Sequence, residues 1–161
     1  MIILGIDPGS ARCGYGVVEK NGSRITYVAC GCIETPKNLS EAKRLLMLDT
    51  ELSRIIEQYR PHEAAVETIF LFKNSKTVIE VAQARGVILR CLANSGIRAY
   101  AYTPLQVKQA VSSYGRAEKQ QVLSMVMKLL HLTDPPKPDD AADALAVALC
   151  HAAIPEALKN I

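Results

Sequence analysis

Tryptophan is absent from this chain, and aromatic residues of all kinds make up only 5% of it. Any aromatic set in a polar stretch therefore stands out. The cysteines lack pattern: Cys13, Cys30, Cys32, Cys91 and Cys150 are odd in number, scattered, and include no CxxC pair. That excludes a zinc framework of the usual spacing. Most of them sit in apolar surroundings, read as small buried hydrophobes, and fit a reducing cytosol. No apolar run approaches the roughly 20 residues of a membrane span, and the start of the chain carries no basic leader. A cytoplasmic protein without a membrane segment is the expectation.

Acidic residues are scarce in one region. Residues 71–130 contain nine Lys or Arg but only Glu80 and Glu118 as acids, so they carry +7 of a net charge of +3, and the rest carries −4. A basic half beside an acidic remainder suits a polyanionic partner approached by an acidic site, although charge runs also serve as solvated helix faces. The remaining composition is ordinary. With 161 residues, 49% hydrophobic and 22% charged, the chain is long enough for one domain, spanning 1–161, with a real core. There is no internal repeat, low-complexity tract or linker.

The periodicities predict ten elements. Strands are expected at 1–7, 14–20 and 24–35, with Asn21-Gly22 as a hairpin signal between the last two. A helix over 39–60 is followed by a strand over 63–70 and a long helix over 75–94 that ends at Ser95-Gly96. A short strand at 98–103 precedes helices at 104–112, 117–130 and 139–153. A hairpin followed by alternating strands and helices makes an α/β chain with a mixed five-stranded sheet flanked by helices. Sites in such sheets gather at the carboxyl ends of parallel strands, where Asp7 and Glu67 are expected to lie. The 75–94 helix has an apolar stripe (Val78, Val81, Ala82, Arg85, Leu89, Leu92) and further apolar or small residues beyond it (Ile79, Gly86, Ala93). Such a surface fits burial on two sides, either within one protomer or against a second copy.

Four acids sit where acids are costly. Asp7 follows Ile6, and Glu67 lies between Val66 and Thr68-Ile69-Phe70. Asp140 and Asp143 open an Ala-rich helix three residues apart, which places them on one face. Capping and the helix dipole account for acids in the first turn, but not for Asp143 among alanines. A carboxylate in apolar surroundings needs a partner or a metal, so a shared metal site competes here with structural ion pairs. An all-carboxylate set selects Mg²⁺, with Mn²⁺ as a substitute, over Zn²⁺. Two such ions about 3.5–4 Å apart are able to clamp the attacking and leaving oxygens of a phosphodiester.

These residues resemble a known family. Gly5-Ile6-Asp7-Pro8-Gly9-Ser10 with Gly14-Tyr15-Gly16 is similar to the opening of the RuvC crossover junction endodeoxyribonucleases. So are Glu67 with Phe70 and Lys73-Asn74, Gln83-Ala84-Arg85-Gly86, Gln106-Val107-Lys108-Gln109, Ala117-Glu118-Lys119 and the 140–146 segment. The similarity runs in order from residue 2 to about 152. It implies a ribonuclease H-like fold, a homodimer through the 75–94 helix, two Mg²⁺ ions per subunit and paired nicks in a four-way Holliday junction. It further implies Asp7, Glu67, Asp140 and Asp143 as catalytic metal ligands, with Lys119 near the scissile phosphate. Lys108 would contact the DNA backbone, Lys73 would bind DNA, and Phe70 would stack on a base near the junction centre, with core packing as the rival role for Phe70. Ser10 and Gly14 would bring backbone amides near phosphate, and a branch-migration helicase would be a partner. Asp139, just before Asp140, is expected to cap the helix. Other readings of the acids are a ribonuclease H-like nuclease acting on RNA and a non-catalytic junction binder. An actin-like ATPase would require a second glycine-rich phosphate motif, which the chain lacks.

Overall fold

The computed structural model describes residues 1–69 and 75–155, and the side chains of all of these except 75–77. Strand β1 (Ile2–Asp7) is central. It pairs antiparallel with β2 (Arg12–Asn21), which pairs antiparallel with β3 (Arg24–Glu34). On its other side β1 runs parallel to β4 (Glu63–Glu67), and β4 runs parallel to β5 (Arg98–Tyr102). The sheet order is therefore β3-β2-β1-β4-β5, mixed and five-stranded as expected. Two central residues, Gly22 and Ser23, turn the β2–β3 hairpin, and Gly22 has the positive φ of 62° that this turn demands.

Alternation along the strands divides the interior in two. Leu4, Ile6, Val17, Ala64 and Val66 face helices α1 (Glu41–Tyr59) and α2 (Ser75–Asn94). Ile3, Val18, Ala65, Tyr100 and Tyr102 face α3 (Pro104–Ser112), α4 (Lys119–Leu129) and α5 (Asp139–Ala153). The period of two that places neighbours on opposite sides of a sheet builds both cores from the same strands.

Helix α5 is the hub of the second core, with 11 of its residues from Ala141 to Ala152 buried. It lies so close to the sheet that glycine is required beneath it. A Cβ on Gly5 would stand 2.2 Å from the Ala144 carbonyl oxygen, and one on Gly14 would stand 2.0 Å from that of Asp140. The alanines of α5 and these glycines together let the helix carry its first-turn acids down onto β1.

Most element ends fall within one or two residues of the sequence expectation, and three differences bear on the site or the surface. Strand β2 starts at Arg12 rather than 14, because pairing with β3 extends to Glu34. Strand β4 ends at Glu67, and Phe70 and Lys73 lie outside the described residues. Helix α2 is also turned relative to its expected stripe. Ala84, Ile88, Cys91 and Leu92 face the core, whereas Ala82, assigned to the stripe, is exposed with Ile79, Gly86 and Ala93.

Candidate active site

Two acids come from the sheet. Asp7 ends β1 and Glu67 ends β4, and because these strands are parallel neighbours both carboxylates reach the same rim. Two more come from α5. Gly14, opposite Asp7 in the β1–β2 ladder, seats the Asp140 backbone, and Asp143 follows one turn later. The four residues implicated by the sequence are thus brought together, although they arise from three separate elements.

Their electrostatics are those of an acid cluster short of positive charge. Burial pushes the Asp7 carboxyl up to about 8, reinforced by the charges of Glu67, Asp143 and Asp140. Glu67 is raised as well, first by burial and then by Asp143, against the lowering effects of its hydrogen bond with Asp7 and of Lys108 nearby. Both carboxyls are therefore harder to ionise than a free acid. The acids of α5 are neutralised differently. Asp140 Oδ2 receives the Arg12 Nη2 at 2.8 Å, and Asp143 Oδ2 lies 3.0 Å from Lys119 Nζ. Burial lowers the Lys119 pKa, but hydrogen bonding and charge from Asp143 and Asp139 outweigh it and hold the ammonium above its ordinary value.

Among the described residues, no three acid, histidine or cysteine side chains converge closely enough to cage a metal in this arrangement. Arg12 and Lys119 pair with the two acids of α5 instead. The donor chemistry nevertheless fits a hard divalent cation: four carboxylates on one rim, with the most buried one, Asp7, resisting ionisation through burial and the charges of its acidic neighbours. A dication at this rim would relieve the repulsion that raises Asp7 and Glu67.

The flanking residues have distinct placements. Lys119 is the first residue of α4, and the cleft between α4 and α5 is lined by Lys119, Asp139, Ala142 and Asp143. Lys108, on α3, is close enough to Glu67 to affect its titration. Ser10 donates its hydroxyl hydrogen to Glu80 Oε2 at 2.9 Å, tying the loop after β1 to α2, while its carbonyl accepts from Thr35 Oγ1 at 2.7 Å. Gly14, expected near phosphate, is buried beneath Asp140. Asp139 does not cap α5. Pro138 holds the N-cap position in extended conformation, which turns Asp139 outward to Lys119 at 3.5 Å. Arg12 was not singled out from the sequence. Its only signal there is a cation placed shortly after the Asp7 turn, and its partner Asp140 is 128 positions away.

A family model described as "Crossover junction endodeoxyribonuclease RuvC" matches residues 3–151. A protein of that name from Desulfitobacterium hafniense is 54% identical over 152 residues, covering 94% of this chain and 92% of its own. Another from Petrotoga mobilis is 52% identical over 160 residues, covering 99% and 98%. Among solved structures, Thermus thermophilus RuvC in complex with a Holliday junction substrate superposes with a TM-score of 0.89 at 34% identity, covering 94% of this chain and 93% of that one. The yeast mitochondrial Holliday junction resolvase Ydc2 shares the fold with a TM-score of 0.64 at 15% identity, over 94% and 78%.

Proposed function

The chain belongs to the RuvC family of crossover junction endodeoxyribonucleases, and from that premise we propose how its own residues carry out metal-dependent resolution of Holliday junctions. The single observation that carries the reading is the meeting of Asp7 and Glu67, at the ends of adjacent parallel strands, with Asp140 and Asp143 of the glycine-seated α5. Asp7, Glu67, Asp140 and Asp143 hold two Mg²⁺ ions, for which Mn²⁺ substitutes. Held there, they would supply activation of a water nucleophile and charge stabilisation at the departing 3′ oxygen.

The chain's own residues do the rest. The buried position of Asp7 excludes bulk water from the deep side of the site and fixes one carboxylate against the sheet. Lys119, held protonated by Asp143 and Asp139, lies at the cleft mouth and meets the scissile phosphate. Lys108 neutralises phosphate beside Glu67. Phe70 stacks on an unpaired base of the junction and Lys73 binds DNA. Ser10, tied to Glu80, orders the loop that follows Asp7.

The protein acts as a homodimer through α2, as one domain spanning 1–161, in the cytoplasm. The exposed Ile79, Ala82, Gly86 and Ala93 support the dimer, since they lie on the outward side of α2 and a Cβ on Gly86 would meet nothing within 4 Å. A two-fold dimer presents two acidic sites to the two opposed strands of a junction of matching symmetry.

The test is cleavage of a labelled synthetic four-way junction in Mg²⁺, beside a linear duplex and an Asp7→Asn variant. Paired nicks in the junction alone, lost in the variant while junction binding persists, are the expected result. Tight junction binding without cutting in any divalent metal would overturn the catalytic assignment.

A further inference from the structure

Three cations approach the acid rim. Lys119 and Lys108 are absorbed by the reading above, but Arg12 is not. It opens β2, is not among the residues lining the α4–α5 cleft, and its side chain remains 46% exposed. Its guanidinium has more than one acceptor. Nη2 holds Asp140 Oδ2 at 2.8 Å, and Nε faces Glu34 Oε1 at 4.0 Å across the β2–β3 ladder.

This arrangement bears on metal uptake. A guanidinium in contact with a carboxylate competes for the same lone pairs and the same negative charge that a dication needs. With Arg12 on Asp140 and Lys119 on Asp143, no three ligating side chains converge among the described residues. The Arg12–Asp140 pair is also half open to water, so breaking it is inexpensive. Glu34 offers the released guanidinium a second acceptor within the same strand pair. An arginine with one acceptor on the acid rim and another off it can move between them.

We propose that Arg12 is a positioning residue that competes with divalent metal for Asp140: it holds this carboxylate out of the ligand set until metal displaces it toward Glu34. The proposal rests on the metal-binding reading of the acid cluster. It sets the metal concentration at which the site loads, and keeps the α5 acids neutralised when no metal is present.

The experiment is calorimetric titration of the full chain with Mg²⁺ in the absence of DNA, for the parent protein and for Arg12→Gln, Arg12→Lys and Glu34→Gln. Arg12→Gln tightens Mg²⁺ binding by roughly threefold to tenfold, as expected for removing a unit charge a few ångströms from a dication in near-aqueous surroundings. Arg12→Lys keeps the charge and stays within about twofold of the parent. Glu34→Gln removes the alternative acceptor, confines the guanidinium to Asp140 and weakens binding by about twofold. Opposite signs at Arg12 and Glu34 separate competition from structural damage, which weakens binding at either position. Unchanged or weaker binding in Arg12→Gln, with the parent binding normally, overturns the competition and leaves the metal site standing. Absence of Mg²⁺ uptake by the parent overturns the metal site and this proposal with it.

Discussion

Strand β4 and helix α5 cross the core together, and their two ends treat the same residue type in opposite ways. Glu63 and Glu67 stand four positions apart on β4, about 13 Å along a strand. Asp143 and His151 stand eight apart on α5, about 12 Å along a helix. The two spacings match, so Glu67 meets Asp143 at one end and Glu63 meets His151 at the other. At the Glu63 end every group is answered. His151 is fully buried, with Nε2 2.7 Å from Glu63 Oε2 and Nδ1 2.7 Å from the Tyr102 hydroxyl, and the Tyr100 hydroxyl donates to Glu63 Oε1 at 3.3 Å. A neutral imidazole carrying its proton on Nε2 satisfies both of its contacts. At the Glu67 end acid faces acid, and burial and repulsion hold a proton in place. One end contributes stability, and the other sacrifices it for the site proposed to hold dications.

The sharpest way to break this comparison is to neutralise the strained end. Asp7→Asn lowers junction cleavage by roughly a hundredfold to a thousandfold, while raising metal-free stability at pH 8 by about 1–2 kcal/mol, because a buried ionisable group is lost. Single-turnover cleavage and chemical denaturation in chelator check the two halves. A variant that loses both activity and stability would make Asp7 a structural residue.

Next in size is displacement of the helix without any change in charge. Gly14→Ala places a Cβ against backbone atoms of Asp140, which cannot yield as a side chain would. We expect cleavage to fall about tenfold to a hundredfold, as a shift of about an ångström in a catalytic group produces, with a stability loss of about 1–3 kcal/mol. Junction affinity measured in Ca²⁺ should change much less than the rate.

The satisfied end responds the other way. Glu63→Ala removes a hydrogen-bond partner from buried His151 and costs about 1–3 kcal/mol, with cleavage per folded molecule unchanged. Equilibrium urea denaturation beside a cleavage assay tests this. A loss of rate without a loss of stability would mean that the two ends communicate through α5.

The contrast between the two ends also marks what the sequence makes legible. Existence and type of all ten elements follow from periodicity, and so does the gathering of Asp7 and Glu67 on one rim, because a parallel strand order implies it. Asp143 is conspicuous among alanines. The partners are not conspicuous. Arg12 and Asp140, or Glu63 and His151, come from elements far apart in the chain, and composition does not reveal which of many surface charges will be brought together. The rotation of α2 escapes for a related reason: Ala84 and Ala82 are alike in hydrophobicity, and packing against α1 and the sheet decides between them. Asp139 looks like a cap until Pro138 is seen to hold that position.

The smallest expected effect is the pH dependence of the metal-free protein, and it isolates the strained end. Asp7 has an ordinary pKa near 3.8 and is pushed up to about 8 in the folded state. Between those values the folded chain holds on Asp7 a proton that the unfolded chain has released, so the contribution of Asp7 to stability falls as pH rises through that window. One such proton gives a slope of at most about 1.4 kcal/mol per pH unit, and partial solvation together with the linked titration of Glu67 should reduce the total from pH 5 to 8 to roughly 1–2 kcal/mol. Melting in chelator should therefore shift downward over this range. Asp7→Asn should flatten the profile. Mg²⁺ should reverse it, because metal binding expels the proton and strengthens as pH rises. A slope that survives Asp7→Asn would place the retained proton elsewhere and remove the electrostatic distinction between the two ends of β4.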